Sequence, residues 1–385
     1  MANDDIDHIA QTAITAYQRG DFDGARLGFR RVAAAGRAAP QLWLYLALCC
    51  EKVGDEGGME TALDRILADE PRHLYALTMK GALLTRRGDD RAAVSFYQLA
   101  LNNVPAAGAL PADLAARLGA AEAAVAAAAR RFRAHLESHL AAQAVDVAEQ
   151  TPRFREALDI LSGEKPMFVQ QPTNFYYPGL PQNPFFDPAG FGWAASMEAA
   201  APAIRAELEA VLGAEIGLEP YVKAEDGRPN RGHTLLGDPR WSAYHLFDGG
   251  EWHADHAARC PATMAALSRV PMPRIGIRSP SAFFSVLRPH THIPAHNGML
   301  NTRLICHLPL IVPADCRLRV GNEIRTVEPG TIMIFDDSIE HEAWNDSDET
   351  RTVLIFEIWR PELSAQEQIA LTALFEASGS YGAIG

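Results

Sequence analysis

The chain has 385 residues, a formal net charge of −13 and a pI near 5.5. That length accommodates two separate cores, and the acidic balance argues against nucleic acid or an anionic membrane as the main partner, since phosphate contacts need clustered Lys and Arg. Five cysteines, odd in number and without C-x-x-C spacing, argue against a disulfide framework or a zinc knuckle. The acidic start Met1-Ala2-Asn3-Asp4-Asp5 lacks the basic and apolar regions of a secretory signal, and no apolar run reaches the ~18 to 20 residues of a membrane span. The expectation is a cytoplasmic protein.

Residues 1–150 are Ala-rich, with apolar positions recurring every three or four residues, which predicts helices. A longer period overlies that one. Gly20-Asp21, Gly54-Asp55 and Gly88-Asp89 are spaced by 34 residues, and small or apolar side chains follow each at matching offsets: Ala25, Phe29 and Val32; Met59, Leu63 and Ile66; Ala93, Tyr97 and Ala100. This resembles the tetratricopeptide repeat, a helix pair of that length. Stacked pairs make a solenoid, and its concave face is expected either to capture a peptide or protein substrate or simply to support the next domain. The Ala-rich stretch from Ala106 to Ala148 predicts long capping or connecting helices.

Residues 151–190 read as a linker and lead-in, because Pro166, Pro172, Pro178, Pro181, Pro184 and Pro188 break helices and remove ladder donors. Residues 191–385 form the second expected domain. Phe191 to Leu212 has helical periodicity that Pro202 is expected to interrupt, and 220–360 reads as short alternating strands between Pro and Gly, the pattern of a barrel or jelly roll. Ser364 with Glu367 forms a capping box opening a last helix to about Ser378. The expected fold is therefore a helical-repeat solenoid followed by a double-stranded β-helix, or jelly-roll, domain.

Within the strand Thr302 to Leu308, alternation puts Arg303, Ile305 and His307 on one face, which suggests a cavity taking an anion. His341, preceded by Asp337 four residues earlier, stands at a strand end, where a metal ligand could be oriented by a carboxylate, and a barrel could bring His296 to it.

These residues sit in a set of motifs: Tyr177-Pro178-Gly179-Leu180-Pro181, Trp241-Ser242-Ala243-Tyr244-His245-Leu246, His296-x-Gly298-x-x-Asn301-x-Arg303-Leu304, His307-Leu308-x-Leu310, Gly321-Asn322-Glu323-x-Arg325, Phe335-Asp336-Asp337-Ser338 and Glu340-His341-Glu342-x-Trp344. Together, over roughly Phe175 to Leu363, they resemble the aspartyl/asparaginyl β-hydroxylase family of iron(II) and 2-oxoglutarate dependent oxygenases. The resemblance implies His296 and His341 as iron ligands, with Ser285 and Arg351 holding the distal carboxylate of 2-oxoglutarate. It further implies that Trp241 and His307 line the co-substrate pocket and that Asp337 accepts from a metal-bound water. The acid that usually follows the first histidine by two residues is absent, the position being Gly298, as the family shares. Ile305 departs from the Arg of better-known members, and Arg303, one pleat away, is expected to help neutralise the co-substrate or metal site. The implied reaction consumes 2-oxoglutarate and O2 to hydroxylate an unactivated carbon, in this family the β-carbon of an Asp or Asn residue in a peptide. Two other readings compete: a cupin-like metal enzyme without 2-oxoglutarate, using His290 and His292 as ligands, and a non-catalytic repeat adaptor.

Overall fold

The structure, a computed structural model, describes residues 3–381 except 37, 106–107, 215–216, 225–233 and 277; Ala106 and parts of the 220–360 strand region thus lie outside it. Two compact units emerge, Met1–Pro166 and Met167–Gly385.

The first unit is all helical: α1 (Asn3–Gln18), α2 (Phe22–Ala34), α3 (Pro40–Val53), α4 (Glu56–Asp69), α5 (Leu74–Arg86), α6 (Asp90–Leu101), α7 (Ala112–Ala142) and α8 (Pro152–Ser162). The repeated Gly-Asp corner has a double purpose. Gly20, Gly54 and Gly88 take φ of 81°, 75° and 79°, where a Cβ would strain the backbone. Asp21, Asp55 and Asp89 then cap the next helix, each carboxylate accepting from the amide three residues on at 2.9 to 3.0 Å. All nine apolar repeat positions are buried.

The stretch 151–190 does not begin as a linker. Pro152 stands at the first position of α8, where its missing N–H costs nothing, and Thr151 caps that helix. The extended lead-in starts only near Pro166.

The second unit contains β1 (Phe185–Phe186), α9 (Ala194–Ala214), β2 (Glu219–Pro220), β3 (Trp241–Asp248), β4 (Glu251–Trp252), α10 (Ala254–Ala258), α11 (Pro261–Leu267), β5 (Ala282–Leu287), β6 (Thr291–His296), β7 (Arg303–Ile311), β8 (Cys316–Val320), β9 (Glu323–Thr326), β10 (Met333–Phe335), β11 (His341–Asn345), β12 (Arg351–Trp359) and α12 (Ala365–Ser380). Among the described residues the strands make an eight-stranded sheet, β1-β10-β7-β12-β5-β3-β2 with β4 on β3, and a four-stranded sheet, β6-β11-β8-β9. Every pairing is antiparallel. The two sheets form a jelly roll.

One face of the larger sheet, with Leu304, Cys306, Leu308, Leu354 and Phe356, is packed under α9 and α11 through Ile204, Leu208 and Leu267. The other faces the smaller sheet. Pro202 does not split α9, contrary to expectation: it points to solvent within a continuous helix. The capping box of α12 is formed as predicted, and its Leu371 and Phe375 pack against Phe175 and Leu363.

A buried polar network ties the lead-in to the sheets and accounts for several of the motifs. Arg360 and Asp336 are both wholly buried and ion-paired. Asp336 also accepts from Gln170 Nε2 at 2.6 Å, Arg360 Nη2 donates to the Pro181 carbonyl at 2.9 Å, and Asn301 bridges Gln170 and the Tyr177 backbone. Truncating Arg360 to Ala would leave a carboxylate buried without its counter-ion, so Arg360→Ala is expected to destabilise the second unit by roughly 3–5 kcal/mol. The urea midpoint followed by near-UV circular dichroism checks this.

A candidate active site between the two sheets

A cavity of about 320 Å3 opens between the sheets, and its wall includes every residue that the family resemblance implied for chemistry: Trp241, Ser285, His296, Arg303, His307, Asp337, His341 and Arg351. Strand register explains why. Trp241 and Arg351 both pair with Leu287, while Ala243 and Val353 both pair with Ser285. Directly opposed residues share a sheet face, so period two carries Trp241, Ser285 and Arg351 inward together. On β7, His307 pairs with Ile355 and Ile305 with Glu357 on that same inner face.

The two histidines come from the smaller sheet. His341 is the first residue of β11 and pairs with His296, the last of β6, with ring centroids 4.1 Å apart. Simple alternation from the inward Ile293 would turn His296 outward, but the register slips by one residue between these pairs, at Pro294-Ala295. Pro, lacking an N–H, suits such a bulge.

Each ring is oriented by its own backbone: His296 Nδ1 donates to the Pro294 carbonyl at 2.8 Å and His341 Nδ1 to the Ile339 carbonyl at 3.1 Å. Carbonyls only accept, so the neutral tautomer carries its lone pair on Nε2 in both rings. Burial, and then the neighbouring His296, push the His341 pKa down to about 3, which keeps that ring neutral and able to ligate.

Arg351 is 4% exposed, and among the described residues no carboxylate bonds to it; its Nε is buried without a partner. Burial lowers its pKa to about 10. A guanidinium in this state is prepared for an anion from outside the chain. Ser285 lies beside it, its Oγ accepting from Trp241 Nε1 at 3.1 Å. His307 is held well below its ordinary pKa by burial, with Arg351 and His341 adding to the effect.

Arg303 is differently employed. Its Nη1 donates to Glu357 and its Nη2 to Asp337 at 3.3 Å. Burial alone would lower its pKa, but these carboxylates outweigh it and hold the guanidinium charged. Arg303 therefore ties Asp337 to Glu357 through its two Nη atoms. Asp337 has its pKa raised to about 6 by burial against the pull of Arg303, and its Oδ1 has no partner among the described residues.

Gly298, where the usual carboxylate would stand, is a steric necessity. A Cβ there would fall 2.0 Å from Asp337 Oδ2, so Asp337 occupies the very space such a side chain would need. Gly298→Ala is expected to cost roughly 1–3 kcal/mol through this overpacking. Adding Asp337→Ala removes the clash, so the double variant should be more stable than the sum of the single effects implies, as a thermal double-mutant cycle would measure.

Among the described residues no cluster of three or more His, Cys, Asp or Glu is placed to hold a metal ion. The two imidazoles come closest to one, meeting at adjacent strand ends with ring centroids 4.1 Å apart. His290 and His292 are not among the wall residues. They face outward, paired with Asp348 and Glu342, and His292 stacks on Trp344. Nearby, Asn345 Nδ2 donates to the backbone carbonyls of Leu287, Arg288 and Glu349.

Sequence reasoning missed Tyr221, Phe283, Met299 and Glu357 in the wall. Glu357 left a signal, a lone acid in the apolar run Val353 to Ile358; Phe283 lies one pleat from Ser285. Tyr221, stacked on Trp241 and Phe283, left none.

Residues 198–361 match the family described as aspartyl/asparaginyl beta-hydroxylase. An ornithine lipid ester-linked acyl 2-hydroxylase from Rhizobium tropici is 38% identical over 191 residues, 49% of this chain and 64% of that protein. The aspartyl/asparaginyl beta-hydroxylase of Homo sapiens is 31% identical over 210 residues, 54% of this chain and 26% of that protein. The chain thus spans less than two thirds of either relative. The crystal structure of PcrH from Pseudomonas aeruginosa aligns with a TM-score of 0.27 at 19% identity, over 32% of this chain and 95% of that one.

Proposed function

The C-terminal domain belongs to the aspartyl/asparaginyl β-hydroxylase family, and from that premise and the geometry we propose that the protein is an Fe(II)- and 2-oxoglutarate-dependent hydroxylase acting on an unactivated carbon. The observation that carries this is the pair of Nε2-presenting imidazoles in a cavity wall that also holds Arg351, a buried guanidinium bonded to no carboxylate among the described residues.

His296 and His341 would hold the metal. Arg351 and Ser285 would hold the distal carboxylate of 2-oxoglutarate, the guanidinium by a charge-assisted pair and the hydroxyl by a neutral bond. When bound, iron and 2-oxoglutarate supply the oxidising power from O2. This chain's own residues orient and exclude. Trp241 fixes the Ser285 hydroxyl, His307 and Phe335 close the wall, and Arg303 with Glu357 keeps the Asp337 carboxylate turned toward the site.

The relatives' names describe related chemistry. The β-carbon of an Asp or Asn residue and the second carbon of an acyl chain are both methylenes next to a carbonyl. A hydroxylation at such a carbon is our reading, with a peptide or protein the first expected substrate class. Capture of that substrate by the repeats, and a cytoplasmic location, belong to the same proposal; among the described residues no helix is long and apolar enough to cross a membrane.

Two experiments test this. Anaerobic addition of Fe(II) and 2-oxoglutarate should give a visible charge-transfer band that Arg351→Ala loses; metal binding indifferent to 2-oxoglutarate would favour the cupin-like reading, and binding of neither the adaptor. Removing residues 1–166 should spare uncoupled 2-oxoglutarate turnover but raise KM for a large substrate by about tenfold or more; unchanged kinetics would make the solenoid a scaffold.

A further inference from the structure

A further guanidinium stands beside the cavity, outside the metal ligands and the co-substrate anchor. Arg278 is held by a tight turn, in which the Ile275 carbonyl accepts from the amides of Arg278 and Ser279, both at 2.9 Å, while the Ile275 amide donates to the Ser279 carbonyl at 2.8 Å. Contacts on two sides fix where that turn lies. Three residues on, the Ser281 amide donates to Glu357 Oε1 at 2.9 Å, and both of these residues line the cavity. On the other side the guanidinium rests 5.2 Å from the ring centroid of Phe375, whose ring meets that of Phe175 edge-on. The Phe175 amide in turn donates at 3.0 Å to the carbonyl of Met299, an exposed member of the wall. Arg278 thus flanks the open rim.

Unlike Arg303, Arg278 has no carboxylate of its own. Its Nη1 is buried without a partner, and among the described residues it forms no ion pair. Burial and the like charge of Arg303 lower its pKa, against the weaker pull of Glu357, whose carboxylate already accepts from Arg303 and from the Ser281 amide. The Phe375 ring orients the guanidinium and cannot neutralise it. A cation partly withdrawn from water without a counter-ion is a cost that an anion from outside the chain would offset. One guanidinium with Glu357 nearby suits an anion of single charge, since a phosphate dianion would bring a second charge with no cation to meet it. We propose that Arg278 is a substrate-recognition residue, binding a carboxylate that the peptide substrate carries outside the reacting residue, so that preferred substrates have an acidic group near the hydroxylated position. This rests on the hydroxylase reading above, with a peptide as the substrate.

The test uses the full-length protein loaded with Fe(II) and 2-oxoglutarate without oxygen, titrated calorimetrically with short acetylated and amidated peptides centred on Asn. One Glu is moved through the flanking positions, each peptide being paired with its Gln counterpart. At one position Glu should bind about tenfold more tightly than Gln, and Arg278→Gln should bring that ratio to about one, while Arg278→Lys keeps part of it. A peptide with a free C-terminal carboxylate in place of the Glu distinguishes a chain end from a side chain as the source, either being the carboxylate proposed. Absence of any position-dependent preference for Glu, or a preference that survives in Arg278→Gln, overturns the proposal. So does failure of every peptide to bind, or tighter binding of phosphoserine than of Glu. Phe375→Leu removes the ring and keeps the guanidinium, so the Glu preference should persist; its loss there would reduce Arg278 to a packing contact and overturn the assignment. The 2-oxoglutarate charge-transfer band reads the hydroxylase proposal separately: if the band is absent that reading fails, and the Glu-to-Gln ratio on metal-free protein still decides the role of Arg278.

Discussion

Arg351→Met is expected to abolish 2-oxoglutarate binding and yet leave the fold as stable as before or more so. The guanidinium is buried, no described carboxylate pairs with it, and its pKa falls from its ordinary value to about 10 because burial disfavours the charged form. For a base the sign is clear: a depressed folded pKa means the charge costs stability at every pH below it. That cost is fully present at neutral pH and disappears only as pH rises from about 10 toward the unfolded value. Replacing buried ions with apolar side chains of similar volume is neutral or stabilising by about 1–4 kcal/mol. Thermal denaturation of the metal-free protein should therefore show an unchanged or higher Tm. Binding of 2-oxoglutarate, which loses its counter-charge, should weaken by at least about a hundredfold. A large drop in Tm would mean that Arg351 supports the fold, and retained binding would move the anion site elsewhere.

His296→Ala and His341→Ala should each eliminate high-affinity Fe(II) binding and succinate formation. The site offers two imidazoles, each with Nδ1 committed to a backbone carbonyl, so losing one leaves a single protein donor. The loss should exceed the 10–100-fold seen when only an outer-shell partner is removed. Anaerobic Co(II) titration by absorbance reads ligation independently of turnover. Robust succinate production by either variant would reject these two residues as ligands. Comparable variants of His290 or His292, which face outward, should bind metal normally.

Much of this site was legible in the residues themselves. The Gly-Asp corners carried both caps of the repeat, and alternation along β7 correctly placed Arg303, Ile305 and His307 on one face. The capping box of α12 could be read as written. Where the reading slipped, the physics was non-local. Pro202, expected to interrupt its helix, rides the solvent face of a continuous one, and Pro152, inside the expected linker, opens a helix at its first position.

By itself the sequence determined the repeat period, the jelly-roll alternation and the set of residues gathered at the cavity, because caps, turns and period-two burial depend on neighbours a few positions away. Only the tertiary structure decided how those residues are arranged and what each bonds to. The bulge at Pro294-Ala295 turns His296 inward, Glu357 and Asp337 both accept from Arg303, and Asp337 fills the space beside Gly298. Each outcome follows from which strands pair and in what register, and register is set by burying a whole face at once, a property no single stretch of the chain contains.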